Sequence, residues 1–265
     1  MGASLSRGSQ SYFRDRVSNQ MTETKERIVG ILGGMGPEAT VDLMQRIIRL
    51  TPALDDADHI RCIVDNNPKV PSRIKAIIEG DGENPGPCMA DMGRRLETWG
   101  ADFLAIACNT AHYYYDAVQQ AVSIPVINLI DLVASHVKDN FPNQRKIGML
   151  ASPAVAMTGL YTQRFSRLGI EDLWPNPDQQ TRLLKVIKAI KKGDTDPHVR
   201  DDYRKVGENL MHHGAEMALI ACTELSALGG DLPLPTLDAA EILAIEIVQV
   251  ATNRKAIVDR ADRVE

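Results

Sequence analysis

Two apolar runs in this chain repeat each other, and that repeat limits the possible folds more than any other feature. WGADFLAIACNTA (99–111) and HGAEMALIACTEL (213–225) align when Cys108 is set on Cys222, a separation of 222 − 108 = 114. Gly100 then meets Gly214, Ala101 meets Ala215, Asp102 meets Glu216, and Ile106-Ala107 meet Ile220-Ala221. The surroundings repeat as well. RIVGIL (27–32) is echoed by KIGMLAS (146–152), with Gly148 in the place of Gly30, and SIPVINL is echoed by LPLPTLD (232–238). Short apolar runs bounded by turn residues read as buried strands, and the amphipathic stretches between them read as helices. Strands expected at 27–32, 59–66, 102–109, 124–130, 146–152 and 217–222 alternate with helices in 38–51, 84–100, 110–122, 158–169, 183–194, 201–214 and 239–256. In the first helix Val41, Met44, Ile47 and Ile48 are expected on one apolar face.

Strands joined by helices imply parallel sheets with right-handed crossovers. Said twice in one chain, the pattern predicts an α/β protein of two pseudo-symmetric three-layer lobes. The first spans 27–129 plus 237–265, and the second 130–236. Ligands of such sheets sit at the carboxyl ends of the strands. Cys108 and Cys222 both stand there, so facing lobes would bring two thiols together across one cleft.

Composition narrows the classes. A chain of 265 residues can bury one large core or two modest ones. The net charge of −5 is mild and its charges are interspersed, so no stripe recruits nucleic acid or a lipid surface. No apolar run approaches the roughly 20 residues of a spanning helix. Four cysteines at these spacings suggest neither a disulfide framework nor a zinc site, and the expected compartment is a reducing cytoplasm with no metal bound. Residues 1–26 are polar, rich in Ser and Arg, and lack periodicity. They read as a disordered tail, a tag remnant, a transit peptide carrying Arg7, Arg14 and Arg16, or sequence ahead of a later start at Met21.

A thiol at a strand-to-helix junction lies near free amides and a helix dipole, which favour the thiolate. A free cysteine titrates near ~8.5, so modest stabilisation makes a useful base. Two such bases on opposite faces of a planar carbanion account for stereoinversion, one removing a proton and the other returning one. A single cysteine on an apolar strand is more often a small core residue; the matched pair favours chemistry. Asn109, Thr110 and Thr223 follow the thiols and can donate to a bound anion. His112 falls four residues after Cys108, either tuning the thiol or filling a buried helix face. Glu224 can take a substrate ammonium group, orient Thr223, or serve as a solvated acid at a helix start. GGMGPEA contains Gly34-Met35-Gly36-x-x-Ala39, a lone GxGxxA match. A dinucleotide reading would use Asp55 or Asp58 for the ribose, but Pro37 removes an amide donor, and ordinary turn chemistry explains the glycines.

GILGGMGPEAT, NNPKVPSR, ACNTAH and ACTEL, in that order, resemble the aspartate/glutamate racemases over roughly residues 28 to 255. The resemblance implies a cofactor-independent racemase of an acidic amino acid, without pyridoxal phosphate, with a cleft between two lobes and a homodimeric assembly. By position it implies that Cys108 and Cys222 are the opposed acid/base pair and that Met35 lies in the pocket loop. Asn109, Thr110, Thr223 and Ser152 would hold the α-carboxylate. Arg73 would grip a carboxylate, and Lys191 or its neighbour Lys192 would meet the substrate side chain. Two positions depart from the family pattern: Ser72 stands where an aspartate often precedes the arginine, and ASPAVAMTG replaces a threonine-rich turn. Hydantoin racemase, maleate isomerase, an arylmalonate-type decarboxylase and a non-catalytic amino-acid binding protein are the alternatives.

Overall fold

The computed structural model describes residues 26–229 and 232–256; apart from Glu26, the expected tail lies outside them. Two four-stranded parallel sheets carry the fold. In the first, β1 (Val29–Gly33), β2 (Cys62–Asn66), β3 (Phe103–Ile106) and β4 (Val126–Ile127) are ordered β2-β1-β3-β4. In the second, β5 (Lys146–Leu150), β6 (Glu171–Leu173), β7 (Met217–Ile220) and β8 (Thr236–Asp238) are ordered β6-β5-β7-β8. One order maps onto the other strand for strand. The duplication reaches individual hydrogen bonds: Ala107 N–H donates to Leu32 O at 3.0 Å, and Ala221 N–H to Leu150 O at 2.9 Å. A Cβ on Gly30 would lie 2.9 Å from that of Ala101 and 3.2 Å from that of Leu96 in the helix before β3, and one on Gly148 would lie 3.1 Å from that of Ala215 and 3.2 Å from that of Leu210 in the helix before β7. Helix-to-strand packing thus requires glycine at the same place in both sheets.

Helices α1 (Pro37–Leu50), α2 (Pro85–Thr98), α3 (Tyr115–Gln119) and α4 (Leu129–Asn140) flank the first sheet's strands in sequence. Helices α5 (Pro153–Thr158), α6 (Leu160–Arg167), α7 (Pro177–Ile190), α8 (Pro197–His212) and α9 (Ala239–Ala251) follow. None is long and apolar enough to cross a membrane. The α9 sequence is apolar almost all round and is correspondingly buried, packing on α1 and α4. One core cluster includes Val29, Ile31 and Phe103 of the first sheet, Ile147, Met149 and Leu219 of the second, and the inner face of α9. The two sheets therefore share a core, with smaller clusters on their outer sides.

Three expectations are corrected. The apolar face of α1 is rotated: Leu43, Arg46 and Ile47 are buried, while Val41 and Ile48 are 49% and 55% exposed. Arg46 turns the helix, because its guanidinium meets Asp42 at 2.7 Å, Asp238 at 3.0 Å and Glu241 at 2.7 Å. The helix expected from 110 begins instead as a 3₁₀ turn, Thr110–Tyr114, before the short α3. Strand 124–130 shortens to two residues because Asn128 caps α4, accepting from Ile130 N–H at 3.0 Å and Asp131 N–H at 3.2 Å.

Candidate active site

The strand β3 ends at Ile106, and Cys108 lies two residues beyond, where the chain turns over the carboxyl edge of its sheet. Cys222 lies two residues beyond the end of β7. Both thiols are free and nearly buried, 6% and 8% exposed. Cys108 and Cys222 lie within electrostatic reach of each other, and Lys191 within reach of both. Contacts also join the two halves directly: Thr110 Oγ1 lies 3.3 Å from Ser152 Oγ. Ser152 precedes α5 but makes no side-chain cap, leaving its hydroxyl for the Thr110 side.

The thiol expected to ionise readily is held neutral instead. Burial pushes Cys108 up, opposed by the nearby Arg73 and, more weakly, by the Ala111 N–H and Lys191. Burial pushes Cys222 well up, and Glu224 adds to it; Lys191 opposes both. The reason is local. A one-turn 3₁₀ segment follows Cys108, so little helix dipole is available to offset desolvation. At neutral pH both thiols carry their protons in the unliganded site.

Beside them Lys191 and Glu224 are paired. Cys222 Sγ donates to Glu224 Oε2 at 3.1 Å, and Glu224 Oε1 is 2.5 Å from Lys191 Nζ. Lys191, not Lys192, thus enters the site. A Cβ on Gly36 would lie 3.3 Å from Glu224 Oε1, so the loop after β1 closes against the second half of the chain. Met35 is buried in the same apolar cluster as Cys108 and Val70. Its carbonyl accepts from Arg73 at 3.2 Å, and Arg73 also donates to Pro71 O at 3.1 Å. The Arg73 Nε is buried without a hydrogen-bond partner. Thr223 is 8% exposed beside Cys222.

Asn109 is 3% exposed, with Oδ1 accepting from Tyr161 Oη at 2.6 Å and Nδ2 left without a partner. Nothing in the sequence marked Tyr161, which reads as one apolar position of a helix. Its role appears only once the second half of the chain folds onto the first.

His112 takes the structural of its two roles. Leu129 N–H, an obligate donor, points at Nε2 at 3.1 Å, so Nδ1 carries the proton and donates to Cys108 O at 2.8 Å. Burial lowers its pKa from 6.5 to about 4. The folded form binds fewer protons than the unfolded form below pH 6.5, so the stability contributed by neutral His112 is present above that pH and lost as pH falls towards 4. Unfolding free energy should drop by roughly 3 kcal/mol from this group between pH 7 and 4. Urea titrations at the two pH values check this, and a His112→Gln variant should lose much of the dependence.

Asp55 and Asp58 cap a single 3₁₀ turn reciprocally, Asp58 Oδ2 accepting from Leu54 N–H and Asp55 N–H. That use leaves the dinucleotide reading without its ribose acid. Among the described residues, Asp194 and Asp196 on the α7–α8 connection and His198 in the first turn of α8 bring ligand atoms within 4.8 Å of one another and are largely exposed.

Comparison with known proteins converges on one family. The pattern of the Asp/Glu/Hydantoin racemases matches residues 32–247. The broad specificity amino-acid racemase RacX of Bacillus subtilis is 27% identical over 223 residues, covering 82% of this chain and 95% of that one. The aspartate racemase of Picrophilus torridus superposes with a TM-score of 0.77 at 31% identity, covering 85% of this chain and 94% of that one. A glutamate racemase of Bacillus anthracis shares the fold at a TM-score of 0.60 and 20% identity, over 87% and 83% of the two chains.

Proposed function

The chain belongs to the Asp/Glu/hydantoin racemase family, and on that premise we propose that it interconverts the enantiomers of aspartate or glutamate without pyridoxal phosphate, by proton transfer between Cys108 and Cys222. The observation that carries this reading is the pair of free, buried thiols in equivalent turns of two duplicated sheets, each close enough to Lys191 to perturb it. The chemistry follows from the charges. One cysteine must be a thiolate and its partner a thiol when reaction starts. Burial opposes the thiolate, so ionisation belongs to the complex, where the substrate ammonium adds positive charge and Arg73 and Lys191 already favour it.

The α-carboxylate is assigned to Asn109 Nδ2 and the hydroxyls of Thr110, Ser152 and Thr223. Charge released from the α-carbon spreads onto that carboxylate, so donors aimed at it stabilise the transition state more than the ground state. Arg73 and Lys191 take the side-chain carboxylate, and Glu224 takes the ammonium. A reducing compartment suits this site, because oxidation of either thiol removes an acid/base group; cytoplasmic residence fits that need.

One observation favours a second reading. Lys191 is already neutralised by Glu224 at 2.5 Å, so an acidic side chain has to displace that partner, whereas a neutral or basic one does not. A wider range of amino acids, like that named for the Bacillus subtilis relative, follows if the ion pair persists. Chiral chromatography after incubation with single enantiomers of aspartate, glutamate, alanine, lysine and arginine decides. Turnover confined to aspartate or glutamate is the expected result. Comparable turnover of alanine or lysine establishes the second reading, and turnover of none removes racemisation of amino acids as the function.

A further inference from the structure

Asn109 is the residue after the first thiol, yet a group from the second half of the chain determines which way its amide points. Tyr161 lies at the start of α6, fully buried, and its hydroxyl donates to Asn109 Oδ1 at 2.6 Å. Burial, with Asp238 adding to it, raises this phenol far above its ordinary range, so it keeps its proton. A phenol that always carries a proton selects the oxygen end of the amide. The flipped amide would turn its NH₂ toward Tyr161 and leave the phenol proton needing another acceptor. In the observed orientation Nδ2 is buried with no protein acceptor, on the residue between Cys108 and Thr110, whose hydroxyl lies 3.3 Å from that of Ser152. A buried donor left open in a polar cluster is a place made for an acceptor from outside.

The phenol is itself held firmly. Its ring packs on Phe165 with centroids 5.7 Å apart, and Arg164 of the same helix pairs with Asp131 of α4 at 2.9 Å. The first N–H of α4, that of Leu129, binds His112, which in turn holds the Cys108 carbonyl. The Cys108-Asn109 turn is therefore gripped at its carbonyl through α4 and at its amide through α6.

We propose that Tyr161 is a positioning residue for racemisation: its phenol fixes the Asn109 amide so that Nδ2 donates to the substrate α-carboxylate while Cys108 acts on the α-carbon. This rests on the racemase reading above. Because the donor matters most where charge develops, the effect belongs mainly to kcat.

The test compares wild type, Tyr161→Phe, Asn109→Ala and the double variant. Tyr161→Phe keeps the ring and removes one oxygen. It should lower kcat about 10–100-fold while changing KM less than about threefold. In the Asn109→Ala background the same change should cost less than about twofold, because the group it positions is gone. A wild-type kcat in Tyr161→Phe, or losses that multiply in the double variant, would overturn the proposal; the second result would mean that the phenol acts through packing. One readout does not depend on turnover. The Asn109 side-chain amide, assigned in ¹⁵N spectra by its absence in Asn109→Ala, should be slow to exchange with solvent in wild type and at least about tenfold faster in Tyr161→Phe. Equal exchange rates would overturn the proposal even if wild type racemised no amino acid, an outcome that separately removes the functional reading.

Discussion

Cys108→Ser and Cys222→Ser should each lower racemisation by more than about 10³-fold, the range expected when a positioned acid or base is removed. The two losses do not multiply, because a proton relay with one member missing is already broken. The sharper expectation concerns what survives. With one thiol gone, the other still faces one side of the α-carbon. Each single variant should therefore exchange the α-hydrogen of one enantiomer with solvent, and the two variants should choose opposite enantiomers. Proton NMR of each enantiomer in D₂O reads this directly. Exchange of both enantiomers by one variant would show that a group other than the missing cysteine serves that face. Neither side chain supplies large packing energy, since Cys→Ser changes little volume, so folding survives to be assayed. The cost is a buried hydroxyl in place of a thiol, about 1–3 kcal/mol if it finds no partner.

Arg73→Leu should lower kcat/KM for an acidic amino acid by about 10²–10³-fold, equivalent to about 3–4 kcal/mol of lost carboxylate binding. The guanidinium already spends two N–H groups on the carbonyls of Met35 and Pro71, which anchors the loop after β1 beside the site. Its buried Nε has no such partner. The substitution therefore removes a charge and loosens a loop together. Arg73→Lys separates these effects: it keeps the charge, cannot hold the fork, and should recover only part of the loss. Turnover of a neutral amino acid, if any, should fall far less than that of aspartate or glutamate. An equal loss on both substrates would assign Arg73 to loop geometry or to the α-carboxylate.

The duplicated sheets were legible because period and punctuation are local properties. Gly30 and Gly148, or the IAC runs at 106–108 and 220–222, reveal themselves to inspection of neighbouring residues alone. What the sequence hid is long-range. Arg46 is a charge on a helix face, and only Asp238 and Glu241, nearly two hundred residues away, make it a buried one. The expected thiolates failed for a similar reason: a strand end near a helix start suggests an ionised thiol, but the actual degree of burial, and a carboxylate at Glu224, decide the sign. His112 was ambiguous until the Leu129 N–H fixed its tautomer. Tyr161 had no local mark at all, since an aromatic in an amphipathic helix is ordinary core until its hydroxyl is seen to reach Asn109. Strand β6 and helix α4 also went unread. The first is three residues long, and the second follows its strand with Asn128 as the one boundary residue.

In the proposed mechanism two thiols on opposite faces pass protons through the α-carbon, and one labelling experiment tests it most directly. Wild-type enzyme, reduced and in D₂O, is given a single enantiomer of its amino acid, and both enantiomers are isolated after a few per cent of conversion for mass spectrometry. On this mechanism the newly formed enantiomer should carry deuterium at the α-carbon while the recovered starting enantiomer remains protiated, because the incoming hydrogen is delivered by the other thiol. Deuterium appearing equally in the recovered starting enantiomer would contradict it, because a single base would then be removing and returning hydrogen from a shared pool.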